Sequence, residues 1–208
     1  MAASVLWSER DDRPTEDHIV RFHEATWADY EHLLAMRGDK SAPRIAFLEG
    51  EIEIMSPSRQ HESIKSRIGR LVETWCLERG VEFSTYGSWT VGDKRVERAA
   101  EPDECYVFGQ VAAPQRPDLA IEVVWTSGGI NKLEIYRKLG VREVWFWQKG
   151  LITLYGLRGE QYEAIPRSEA LPALDLQELA TFLDRPTTSQ SIRDYRAALQ
   201  AGGSGRPA

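Results

Sequence analysis

Residues 118–125 read Asp-Leu-Ala-Ile-Glu-Val-Val-Trp, an apolar run with one carboxylate, Glu122, set in its middle. Runs of this kind, rich in β-branched and aromatic residues and bounded by Pro and Gly, form strands covered on both faces. An ionised carboxylate inside such a strand is costly unless a cation or a good donor meets it. The run, taken as a strand over Leu119 to Trp125, therefore calls for a layered fold and for a positive partner at Glu122. A second acid, Asp103, stands just ahead of another short strand, Cys105 to Phe108.

A lysine follows closely. Thr-Ser-Gly-Gly after Trp125 is a turn and helix-start signal, and INKLEIYRKLGV reads as a helix stopped at Gly140. At helical spacing Lys132 shares an arc with Ile135, Tyr136 and Leu139, so it points with the apolar face. Two acids on adjacent strands and one inward lysine suit the holding of a hard cation and the stabilisation of charge developing on a phosphorane.

The order Pro-Asp, then Glu on the next strand, then Lys resembles the PD-(D/E)XK nuclease superfamily, and within it the chain is similar to the Uma-type restriction endonuclease family. The residues that carry the likeness are EGEIEIMSPSRQH (49–61), EPDECYVFG (101–109), RPDLAIEVVWTSGG (116–129), KLEIY (132–136) and GVREVWFW (140–147). They fall in order over roughly residues 27–165. The superfamily lysine usually sits two residues after the Glu, where this chain has Val124; Lys132 on the following helix takes its part. The position before it, often acidic in relatives, is Asn131. The resemblance implies metal-dependent phosphodiester hydrolysis, with Mg²⁺ or Mn²⁺ on Asp103, Glu122 and a strand carbonyl, that of Val123. It implies a nucleic-acid partner, DNA in the first place. Related enzymes often pair to cut two strands, so a homodimer is an open arrangement, with the aromatic strand around Trp145 as a candidate interface.

Two further residues match family positions and keep two readings each. Glu51 follows a hairpin glycine; it is either an acid near the metal or a turn carboxylate in water. His61 opens a helix over 61–79 whose stripe is Ile64, Ile68, Leu71, Val72 and Trp75, and it lies on that side. It is either a hydrogen-bonded core histidine or a base, phosphate contact or organiser of the site. Asp118 rivals Asp103 for the first acid, but it lies on the same strand as Glu122. Two basic groups, Lys65 with Arg67 and Arg70, and Lys94 with Arg95 and Arg98, are candidates for phosphate contacts. For the first group a solvated helix face is the commoner meaning, and exposed loops like that of the second are often charged anyway.

The remaining elements expected are a helix from Trp27 to Arg37 capped by Thr26, and strands over 44–48, 52–55, 81–85, 88–91, 142–147 and 152–156. Residues 163–172 read as a loop, and two closing helices fall over 174–183 and 191–199. The expected fold is α/β, a mixed central β-sheet flanked by helices, restriction-endonuclease-like, with an added N-terminal helix and hairpin. Residues 1–20 read as a disordered arm, 21–200 as a single domain and 201–208 as a flexible tail.

Composition bounds the function classes. With no apolar run near 18 residues, a membrane helix is excluded. Two cysteines, Cys76 and Cys105, make neither a disulfide framework nor a zinc motif and suit a reducing cytoplasm. A net charge of −6 weighs against tight non-specific binding of nucleic acid. It lends weight to a second reading, a catalytically inactive nuclease-fold domain acting as a protein- or nucleic-acid-binding regulatory module. A third reading, a metal phosphoesterase on a small substrate, needs no basic groove.

Overall fold

The structure, a computed structural model, describes residues 15–87 and 89–203. Residues 1–14 of the expected arm, Ser88 of the expected 88–91 strand and 204–208 of the expected tail lie outside these.

Eleven strands among the described residues form two sheets. Sheet A is antiparallel throughout, in the order β1 (His18–Phe22), β3 (Glu51–Ser56), β2 (Arg44–Leu48), β6 (Arg98–Ala100) and β5 (Val91–Asp93). Sheet B runs β11 (Gln161–Ile165), β10 (Leu151–Arg158), β9 (Glu143–Gln148), β8 (Leu119–Val123), β7 (Glu104–Phe108) and β4 (Phe83–Thr85). Only β8 and β9 are parallel, and α3 (Lys132–Leu139) makes the crossover between them. Such a pair needs a connection of this length, whereas antiparallel neighbours take tight turns. The hairpins β2–β3 and β9–β10 turn on Glu49-Gly50 and Lys149-Gly150, both residues of each pair having positive φ, the two-residue geometry that matches strand twist.

Alternation decides what each sheet covers. Ile45 and Phe47 of β2 and Ile52 of β3 pack under α1 (Trp27–Arg37) with Tyr30 and Ala99. The opposite face of β2 and β3 carries Arg44, Ala46 and Glu53, and looks toward α3. Ala46 and Ala100 of sheet A meet Ala120 and Val144 of sheet B around Ile135 and Tyr136, so α3 lies between the sheets. On the far face of sheet B, Leu119, Ile121 and Val123 join Ile68, Leu71, Val72 and Trp75 of α2 (Arg59–Arg79) and Tyr195 and Leu199 of α5 (Thr188–Gly203). A short helix, α4 (Leu176–Ala180), adds Leu179.

The α/β class and the mixed sheet stand. The added hairpin, however, belongs to a second five-stranded sheet. The chain is ordered before residue 20, because β1 pairs along β3 from His18↔Ser56 to Phe22↔Ile52. Residues 163–165 of the loop expected over 163–172 belong instead to the edge strand β11 on β10. Trp145 is fully buried in the sheet B core and offers no surface to a partner, which removes the interface expected there. Among the described residues no helix is long and apolar enough to cross a membrane. Cys76 and Cys105 are free and buried.

Candidate active site

The site is assembled where β7, β8, α2 and α3 come together. The antiparallel register Cys105↔Ala120 and Glu104↔Ile121, continued by one residue, sets Asp103 opposite Glu122. Asp103 is held there by its Oδ2, which accepts the Val123 backbone N–H at 2.6 Å. One bond thus ties the first acid to the residue beside the second. Both acids are buried.

Asp103 Oδ1 faces two cationic or donor groups, His61 Nε2 at 3.0 Å and the guanidinium of Arg44. Arg44 also reaches Glu62 at 3.1 Å. His61 sits in the first turn of α2, where Ser58 is the N-cap and its Oγ accepts the His61 N–H at 3.2 Å. The other ring nitrogen, Nδ1, lies 2.9 Å from Asp17 Oδ2. Burial works against the Asp17 charge, but hydrogen bonds from His61 and the Ser58 N–H outweigh it and hold the carboxyl below its ordinary value.

Glu122 receives its described bonds on Oε1, from Lys132 Nζ at 3.4 Å and from the Tyr136 hydroxyl. Both donors come from α3. Its N-cap is Asn131, whose side chain accepts the Glu134 N–H at 3.2 Å. The side chain of Asn131 is thus taken up by the cap. Burial, and after it the Glu122 charge, push the Tyr136 hydroxyl well above its ordinary value, so it stays a donor.

Four of the five expected side chains, Asp103, Glu122, Lys132 and His61, therefore meet in one place, and the Val123 backbone stands among them. Glu51 does not join them. Its side chain is 40% exposed and pairs with the His23 ring at 3.3 Å. The inward acid of β3 is Glu53, two residues on and on the same face. It accepts the Ile130 N–H at 2.6 Å and pairs with Arg21 at 3.4 Å, bracing the loop that leads to Lys132. Asp118 lies at the far end of β8, bound to the Phe108 N–H and Arg142.

Much of the basic surface is used internally. Arg98 is buried against Glu49 at 2.5 Å, Arg67 donates to the carbonyls of Leu183 and Arg185, and Arg95, Lys94, Lys65 and Arg70 pair with Asp93, Glu31, Glu62 and Glu73. Arg98 and Arg67 cannot serve as the expected phosphate contacts without breaking these bonds. Asp17, Arg44, Glu53 and Tyr136 escaped the sequence reading. Only Tyr136 carried a signal, its place on the arc of Lys132.

Two buried hard-oxygen carboxylates, fixed to each other through Val123, are the donor set that Mg²⁺ or Mn²⁺ takes when water and a phosphate supply the remaining ligands. Among the described residues no group of three or more His, Cys, Asp or Glu is placed to hold a metal ion. The guanidinium of Arg44 already lies against the Asp103 carboxylate.

A model of the Uma2 family, described as putative restriction endonuclease, matches residues 27–184. A crystal structure described as a putative nuclease belonging to DUF820, from Anabaena variabilis, is similar at 16% identity, covering 79% of this chain and 96% of that one with a TM-score of 0.48. No curated protein matches.

Proposed function

The chain belongs to the Uma2 family, and on that premise we propose that it is an endonuclease hydrolysing phosphodiester bonds of nucleic acid, DNA in the first place, with Mg²⁺ or Mn²⁺ as cofactor. The observation that carries the reading is the 2.6 Å bond from the Val123 N–H to Asp103, which locks the two acids side by side next to Lys132.

Asp103 and Glu122, with the Val123 carbonyl, would hold the metal. When bound, the ion polarises the phosphate and lowers the pKa of an attacking water. Lys132 turns its ammonium from Glu122 toward that water or toward the charge developing on phosphorus. Tyr136 keeps Glu122 in place through a hydroxyl that remains protonated. His61 contacts Asp103 from the α2 side and offers a proton-carrying ring at the edge of the site.

The test is cleavage of a panel of labelled DNA and RNA with Mg²⁺ or Mn²⁺. Wild type cuts, and Asp103→Ala, Glu122→Ala and Lys132→Ala do not while remaining folded. Full activity in the Lys132 variant removes that residue from the mechanism; cutting that survives all three places the chemistry elsewhere. One observation favours the inactive binding module instead, the Arg44 guanidinium seated against Asp103. That module predicts no cutting and no Mg²⁺ binding in the millimolar range.

A further inference from the structure

We propose that Asp17 is a positioning residue of this site, fixing the His61 ring against Asp103, and that the segment around it, ahead of the family-matched region, completes the site.

Asp17 precedes the matched residues 27–184. Its side chain is only 4% exposed, and both of its oxygens are engaged inside the fold. Oδ1 accepts the Ser58 N–H at 2.8 Å, and Oδ2 faces His61 Nδ1 at 2.9 Å. Burying a carboxylate so far from any surface partner costs stability, and one N-cap does not call for it, because Ser58 already caps α2. The segment is also fastened on its other side. The Asp17 N–H donates to Thr126 Oγ1 at 3.0 Å, and the Thr15 carbonyl accepts Trp125 Nε1 at 3.0 Å. Arg21, four residues on, pairs with Glu53 and donates to the Gly128 carbonyl. Residues 15–21 thus join the start of α2, which carries His61, to the loop between Glu122 and Lys132.

The geometry defines what Asp17 does. A carboxylate only accepts, so the hydrogen in each of these contacts comes from the ring, from Nδ1 toward Asp17 and from Nε2 toward Asp103. Held at both nitrogens, the ring can neither rotate nor flip. Without Asp17 the Nδ1 side is empty, and the ring is free to swing off Asp103. Orienting groups of this kind, one shell away from the ligands, are worth 10–100-fold in function.

The role in catalysis rests on the nuclease reading; the role in fixing the ring does not, and the experiment separates them. The full chain is labelled with ¹⁵N-histidine. It holds four histidines, so the His61 ring signals are identified by their loss in His61→Asn. Long-range ¹H–¹⁵N spectra are taken without metal or substrate. Wild type shows a proton bound to His61 Nδ1 and protected from exchange. Asp17→Asn, which keeps one acceptor for the Ser58 N–H, loses that proton signal with its melting transition retained, while the His32 signals stay in place. In the cleavage assay the same variant loses about tenfold in kcat with KM unchanged, and the loss is absent in a His61→Asn background. Unchanged His61 signals in a folded Asp17→Asn overturn the proposal, as does a wild type lacking the protected Nδ1 proton. If wild type cuts nothing, the nuclease reading fails and the spectra alone decide the role of Asp17.

Discussion

Strands β8 and β9 lie side by side, and each buries one glutamate. Glu143 of β9 accepts from Trp145 Nε1 at 2.5 Å and from the backbone N–H groups of Glu169 and Ala170 at 2.8 and 2.9 Å. Its donors are neutral, short and fixed by the loop that follows β11. Glu122 of β8 is met by a lysine at 3.4 Å and a tyrosine hydroxyl, both on one oxygen and both from a single helix. Burial is nearly the same, 2% and 5% exposed. The difference lies in what answers the charge. A carboxylate closed by backbone donors has its hydrogen bonds filled and holds a loop in place. One answered by a movable ammonium, beside a second carboxylate, keeps the means to exchange partners with a cation and a phosphate. Buried acids alone do not mark a site; their partners do.

The comparison can be broken most sharply at Glu122. Glu122→Gln keeps the shape and the Tyr136 contact but removes the charge, and cleavage should fall by roughly 10²–10³-fold, the loss typical of one electrostatic element. Single-turnover rates check this, with a melting curve close to wild type. At Glu143 the expectation reverses. Glu143→Ala strands the buried Trp145 indole donor and two part-buried backbone donors and should cost about 2–3 kcal/mol in urea unfolding, given what hydrogen bonds to a charged group are worth. Its residual folded fraction should cut normally. A Glu143 variant that is stable but inactive would erase the distinction.

These two acids also show how far the sequence is legible. Glu122 stands out because an ionised residue interrupts an apolar strand, and Lys132 because it falls on a helix arc with Ile135 and Tyr136. Local periodicity suffices for both. The stripe of α2 is legible for the same reason. What stays hidden depends on distant pairing. β1 and β11 are edge strands with one or two half-buried residues each, so no alternation announces them, and only their registers on β3 and β10 make them strands. Asp17, Arg44 and Glu53 reach their partners across the fold, and nothing in the neighbouring sequence says which partner each meets. Glu51 and Glu53 share a face of β3, and choosing between them needs the third dimension. There Glu51 stands beside His23, and Glu53 beside Ile130.

A smaller effect concerns acid stability. The Asp17 carboxyl is held below its ordinary 3.8 in the folded chain, so it contributes stability that is fully present above 3.8 and is lost as pH falls from there through the lower folded value. The drop in urea midpoint between pH 6 and pH 3 should therefore be smaller in Asp17→Asn than in wild type. An equal drop would show that His61 and Ser58 do not favour the charged form. The smallest effect belongs to Glu51. Glu51→Gln removes an exposed pair and should change stability by less than about 0.5 kcal/mol and cleavage not at all. A large loss of cleavage there would move the site toward the hairpin.

The most direct test of the two-glutamate contrast is calorimetric titration of Mn²⁺ into wild type, Glu122→Gln and Glu143→Gln. Binding in wild type and in the Glu143 variant, with none in the Glu122 variant, is the predicted result. Equal binding in all three, or binding lost only with Glu143, would contradict the assignment of the metal to the Asp103–Glu122 pair.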